Sequence, residues 1–172
     1  MGRVDERENA AGAAYRDEFT VPQDVIDGNG HVNNVAYVQW MQDVAIRHFN
    51  ASGCADAMRA SGGIWVARSH HIEYLRPVFA GDRIRATTWI ARFGRVRSLR
   101  QYEFVRLSDG VLVARGETDW VLVDGDTGRP RSIPDEVKAA FSSDAQQEPA
   151  DIAGDIAGGS AGGSATDSAV LG

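Results

Sequence analysis

One helix-period segment followed by about sixty residues of strand-period sequence leaves this chain few ways to fold. Between Val35 and Asn50, Val35, Tyr37, Val38, Trp40, Met41, Val44, Ala45 and Phe49 share one broad face of a helical wheel. Gln39, Gln42, Asp43, Arg47 and Asn50 share the other, with Ile46 among them. An apolar arc covering roughly half the circumference needs cover from several sides, which a curled sheet provides and a flat surface does not. Gly53 is placed to end the helix, and Cys54 to Ala60 reads as one or two further helical turns.

The strand signals lie around that helix. Glu18 to Gln23 reads as a short strand with Pro22 marking its end. Ile64 to Arg76 is rich in β-branched and aromatic residues and stops at Pro77. Arg83 to Phe93 follows the turn Phe79-Ala80-Gly81-Asp82. Val96 to Leu107 returns from a hairpin tip at Gly94, and Val111 to Asp124 follows Ser108-Asp109-Gly110. Ser132-Ile133-Pro134-Asp135-Glu136 opens a short last helix ending near Phe141, with a cap, an early proline and acids in its first turn. The order predicts an α+β domain: a strand, one long helix, then four strands in an antiparallel meander curled around it.

The chemistry-bearing stretch is Asp27-Gly28-Asn29-Gly30-His31-Val32-Asn33-Asn34, immediately ahead of the helix. Asn33 or Asn34 is the expected N-cap, because a short amide satisfies the first orphan N–H groups. The two glycines allow a tight bend and close approach to a ligand. Asp27 is thereby held beside the positive end of a helix, which can hold an anion or polarise a carbonyl. Asp24, three residues earlier, reads as structural. His48 falls in the apolar arc and reads as a hydrogen-bonded core histidine. His70 and His71 are neighbours on a strand, so they point to opposite faces and cannot chelate one metal together. The loop imitates a calcium loop, but Val25 and Ala36 fall where carboxylates are required. No metal or cofactor is expected.

Charge and cysteine usage narrow the class. All 18 basic residues, and all but five of the 24 acids, precede Ser142, so residues 1–141 carry a net charge of −1. Neither a nucleic-acid groove nor a membrane surface is indicated, and no apolar run is long enough to cross a bilayer. Residues 1–14 lack an apolar signal region and read as a flexible leader; 15–141 form the domain. Residues 142–172 are rich in Ala, Gly and Ser, carry the other five acids, and read as a disordered tail. Cys54 is the only cysteine, which excludes an intramolecular disulfide and fits a cytoplasmic setting.

The Asp27–Asn34 stretch followed by Tyr37 and Trp40 resembles the hot-dog-fold acyl thioesterases, in the 4-hydroxybenzoyl-CoA-thioesterase-like branch, whose signature reads Asp-x-x-Gly-His-Val-Asn-Asn-x-x-Tyr. Ile72-Glu73-Tyr74-Leu75-Arg76-Pro77, Gly81-Asp82, Trp120-Val121, Gly128-Arg129-Pro130 and Ile133-Pro134 extend the resemblance in order across residues 18 to 141. The resemblance implies a sheet of about five strands around the central helix, in a homodimer or homotetramer with the site at a subunit interface. It implies Asp27 as nucleophile or general base, with the backbone N–H of Asn34, helped by Val35, facing the thioester carbonyl oxygen. Gly30, His31, Asn33 and Tyr37 are the candidate substrate contacts, beside a loop-packing or capping role for His31, a capping role for Asn33 and a core or interface place for Tyr37 and Trp40.

The substrate implied is an acyl-CoA or an acyl-carrier-protein thioester. Arg92, Arg95, Arg97, Arg100 and Arg106 surround the hairpin at Gly94. They read either as a solvated strand face with partners such as Glu103, or, for Arg95 and Arg97, as contacts for the phosphates of coenzyme A or an acidic carrier protein. Two other readings stand beside hydrolysis. An enoyl-CoA hydratase or dehydratase pairs an Asp with a His in this place, but with one residue more between them and without the Gly-His-Val-Asn-Asn continuation. A non-catalytic acyl-CoA-binding sensor would use the tail as its interaction segment.

Overall fold

A computed structural model describes residues 14–143; the expected tail from residue 144 on, and all but the last residue of the expected leader, fall outside them. Ser142 and Ser143, expected in the tail, instead continue the last helix, Ser142 Oγ donating to the Lys138 carbonyl. β1 (Tyr15–Thr20) leads through Pro22 and a short 3-10 turn (Gln23–Val25) into the Asp27 loop. Then come α1 (Asn34–Ala51), α2 (Ala55–Ser61), β2 (Gly63–Tyr74), β3 (Arg83–Phe93), β4 (Arg97–Arg106), β5 (Val111–Asp124) and α3 (Asp135–Ser143). β1 starts three residues ahead of the expected strand, because its ladder runs from Tyr15 opposite Thr88 to Thr20 opposite Arg83. Pro22 lies beyond it.

The five strands make one antiparallel sheet in the order β1-β3-β4-β5-β2. This corrects the expected four-strand meander. Only β3, β4 and β5 follow one another; β2 pairs with β5, and β1 pairs with β3. The loop from Leu75 to Asp82 is too long for a tight hairpin, so the chain crosses from one edge of the sheet to the other side of β4. The crossing lets the sheet curl past α1 on both flanks.

α1 buries Ala36, Tyr37, Met41, Val44, Ala45 and His48. The first five pack with Ile84, Ala86, Tyr102, Phe104, Val113 and Ala114 from the sheet, each full burial of a large apolar side chain contributing roughly 1.5–3 kcal/mol, while His48 lies against Tyr15 and Phe141. Gly116 on β5 lets the helix lie this close. A Cβ there would stand 3.0 Å from Met41 Sδ and 3.1 Å from the His71 carbonyl oxygen. A second cluster (Cys54, Met58, Trp65, Trp120, Leu122, Val137 and Phe141 among its members) fills the space under α2 and α3. Val35, expected on the buried arc, is instead 70% exposed, whereas Ala36 and Tyr37 of the same turn are buried, so the buried stripe begins one residue later than expected.

Candidate active site

The Asp27 loop is a closed turn built by its own backbone. The Asp27 N–H donates to the His31 carbonyl (2.8 Å), the Gly30 N–H donates to the Asp27 carbonyl (3.0 Å), and Ile26 bridges Val32. Gly30 has φ of +79°, which a side chain would strain, whereas Gly28 needs no such freedom. Two further bonds dock the loop: Val32 N–H to the Val78 carbonyl (2.9 Å) and Asn33 N–H to the Val25 carbonyl (2.8 Å). The loop carrying Val78 is itself tied down. Asp82 Oδ2 accepts from the Phe79 N–H (3.0 Å), and Arg106 donates to the Pro77 carbonyl (3.1 Å) while gripping Asp109.

Half-buried Asp27 accepts the Asn29 N–H at Oδ1 (2.8 Å), and no described residue supplies a donor to Oδ2. Asn33 is the N-cap of α1, its Oδ1 accepting the Val35 N–H (3.0 Å). That bond occupies one of the two expected oxyanion donors and leaves the Asn34 N–H, for which no described residue is an acceptor. A carboxylate oxygen and an N–H donor therefore stand uncommitted at one helix N-terminus. The helix end adds a favourable field for developing negative charge.

The remaining expected residues divide. His31 is exposed, its ring edge-on to Phe79 at 5.4 Å. Tyr37 turns into the core among Trp40, Tyr74 and Phe104 (4.9, 5.3 and 5.6 Å between ring centres). Its phenol is pushed up to about 12, chiefly by burial. Arg95 and Arg97 flank the β3–β4 turn, whereas the loop docks at the other end of β3, an 11-residue strand of roughly 35 Å. Within one subunit they are not brought to Asp27. Arg97 lies 3.5 Å from Asp119 instead.

Two of the five arginines contradict the hairpin grouping: Arg106 belongs to the Asp109 end of its strand, and Arg100 points inward and is buried. Glu103 lies opposite Arg115 on β5, whose guanidinium pairs with Glu73.

Tyr74 is a site residue that the sequence reading left in a motif without a role. Its hydroxyl donates to the Asn34 carbonyl (3.2 Å), which pins the first turn of α1 to the end of β2. Val35, Tyr74 and Phe79, at 70, 45 and 46%, are the exposed large hydrophobic side chains among the described residues, and all three surround this helix end. Such a concentration of exposed apolar surface marks a binding face.

A curled antiparallel sheet around one helix, with an acid in the loop at the helix N-terminus, defines a hot-dog domain. The chain belongs to the thioesterase-like superfamily, whose family model matches residues 20–141. It is 26% identical over 145 residues to the oleoyl-acyl carrier protein thioesterase 1 of Arabidopsis thaliana chloroplasts, covering 80% of this chain and 40% of that protein. It is 30% identical over 129 residues to the L-carnitine dehydrogenase/betainyl-CoA thioesterase of Ruegeria pomeroyi, covering 74% of this chain and 26% of that protein. The chain thus spans less than half the length of these curated relatives. A 1,4-dihydroxy-2-naphthoyl-CoA thioesterase from Synechocystis shares the fold, with a TM-score of 0.69 at 18% identity over 76% of this chain and 97% of that one.

Proposed function

We propose that this domain hydrolyses an acyl thioester, of coenzyme A or of a carrier protein, with Asp27 as nucleophile or general base and the Asn34 N–H as oxyanion donor. The observation that carries the reading is that Asp27 Oδ2 and the Asn34 N–H, at one helix end, both lack a partner among the described residues. Attack on a thioester builds negative charge on the carbonyl oxygen, and a preorganised N–H at a helix N-terminus stabilises it; losing one such donor typically costs ~10²–10³ in rate. The carboxylate either forms an anhydride that water then opens, or takes a proton from the attacking water. A thiolate leaves readily, so no strong general acid is needed.

The relatives act on carrier-protein and CoA thioesters by name, which supports the substrate class. The exposed Val35, Tyr74 and Phe79 suit an acyl chain or the second subunit that the family resemblance implies. β2 lies at an edge of the sheet and pairs with β5 alone, so its free edge is available to a second copy. Arg95 and Arg97 reach coenzyme A in this reading only from another subunit. Thiol release from an acyl-CoA panel (acetyl, hexanoyl, palmitoyl, benzoyl and 4-hydroxybenzoyl) tests the proposal beside Asp27→Asn. Release that the variant abolishes supports it; tight acyl-CoA binding without release would favour a sensor, and loss of enoyl absorbance a hydratase.

A further inference from the structure

Arg100 presents a problem that the site at Asp27 does not solve. Its side chain lies on the inner face of β4 and is 4% exposed, yet no carboxylate among the described residues pairs with it. Its Nη1 donates to His48 Nδ1 (2.9 Å) and to Thr88 Oγ1 (3.2 Å), and its guanidinium lies 5.5 Å from the centre of the Phe141 ring. No described residue gives an acceptor to Nε or Nη2. A buried cation without an anion is costly, and proteins rarely keep one unless something completes it.

Beside it two more donors wait. Ser98 and Trp120 sit opposite each other on β4 and β5, 3% and 5% exposed; Ser98 Oγ meets no partner among the described residues, and Trp120 Nε1 has only the buried Tyr102 hydroxyl beside it, too loosely placed to make a full hydrogen bond. Ser98, Arg100 and Trp120 line one cavity between the second half of α1, the inner face of the sheet and α3. Its water-accessible volume is about 30 Å³, room for roughly two waters or one carboxylate group. Phe49, Trp65, Phe93 and Phe141 make its apolar walls. A guanidinium, an indole N–H and a hydroxyl around one void call for an acceptor, and aromatic walls call for an apolar body behind it.

We propose that this cavity is a binding pocket for the carboxylate end of an apolar chain, held by Arg100, Trp120 Nε1 and Ser98 Oγ, with the chain leaving between Phe49, Phe93 and Phe141. The pocket does not depend on the thioesterase reading; only the source of the carboxylate does. It lies beside Ala45 and Phe49, eleven to fifteen residues along α1 from Asn34, so ~17–22 Å from the Asp27 site. A free long-chain acid entering head first, or the far carboxylate of a dicarboxylic acyl thioester, would each present the required group.

The test is calorimetric titration of the full chain with decanoate and with decanol, for wild type, Arg100→Met and Trp120→Phe. Arg100→Met keeps the volume and removes the buried charge, a change that folds commonly tolerate. Trp120→Phe removes only the N–H donor and keeps an aromatic wall, should the first variant fail to fold. Decanoate binding that exceeds decanol binding, and that either variant weakens roughly ten- to hundredfold, supports the proposal. Equal binding of acid and alcohol, binding unchanged in the folded variants, or no binding because the donors are served by water, each overturns it.

Rates on hexadecanedioyl-CoA and palmitoyl-CoA separate the sources. A preference for the dicarboxylic substrate that Arg100→Met removes assigns the substrate's far end, and no such preference alongside decanoate binding assigns the free acid. Silence in thiol release would overturn the thioesterase reading and leave the decanoate result standing.

Discussion

At the scale of single residues, Asp27 holds a structural and a proposed chemical role, and one substitution separates them. Oδ1 closes the turn on the Asn29 N–H, a bond that an asparagine oxygen reproduces. Asp27→Asn therefore keeps its melting temperature while kcat falls roughly 10²–10⁴-fold, the usual worth of a positioned general base. Parallel thermal melts and thiol-release assays check both halves. Asn33→Ala removes the cap on the Val35 N–H and lowers unfolding free energy by about 1 kcal/mol in urea titrations.

Much of this loop was legible because short polar residues and glycine carry local rules: the asparagine cap and the bend at Gly30 follow from residue type. The burial of Arg100 was not. Its inward phase on β4 is set by pairing with Ile90 and Thr118, and no local rule places a cation there.

At the scale of elements, the helix was readable and the strand order was not. A 3.6-residue period, an amide at the start and Gly53 after the end bound α1 within a residue or two. Strand lengths could also be read, since Pro77, Gly94 and Gly110 punctuate them. That β2 joins β5 rather than β3 depends on long-range ladders and the need to enclose α1, neither of which leaves a mark on neighbouring residues. The same closeness of helix and sheet predicts that Gly116→Ala destabilises. The new methyl group would press on Met41 Sδ at 3.0 Å and on backbone at 3.1 Å, and overpacking of this kind costs about 1–3 kcal/mol. Denaturant midpoints measure it; an unchanged midpoint would mean that α1 rides on the sheet more loosely than the structure has it.

At the scale of the whole molecule, His48 couples stability to pH. Burial first, and the Arg100 cation second, hold its imidazole down to about 3, against an ordinary value of 6.5 in the unfolded chain. Below about pH 6.5 the unfolded chain therefore binds a proton that the folded one refuses, so this contribution is complete above that pH and is lost as pH falls toward 3. Urea unfolding between about pH 7 and pH 4 should show stability falling, and His48→Gln should flatten that slope. A slope unchanged in the variant would assign the loss to other groups. No helix among the described residues is long and apolar enough to cross a membrane.

The decisive measurement for the function is thiol release by wild type and Asp27→Asn across the acyl-CoA panel, each protein first shown to be folded. The account predicts release by wild type on at least one acyl class and its loss in the variant. Equal turnover by a folded Asp27→Asn protein would contradict it.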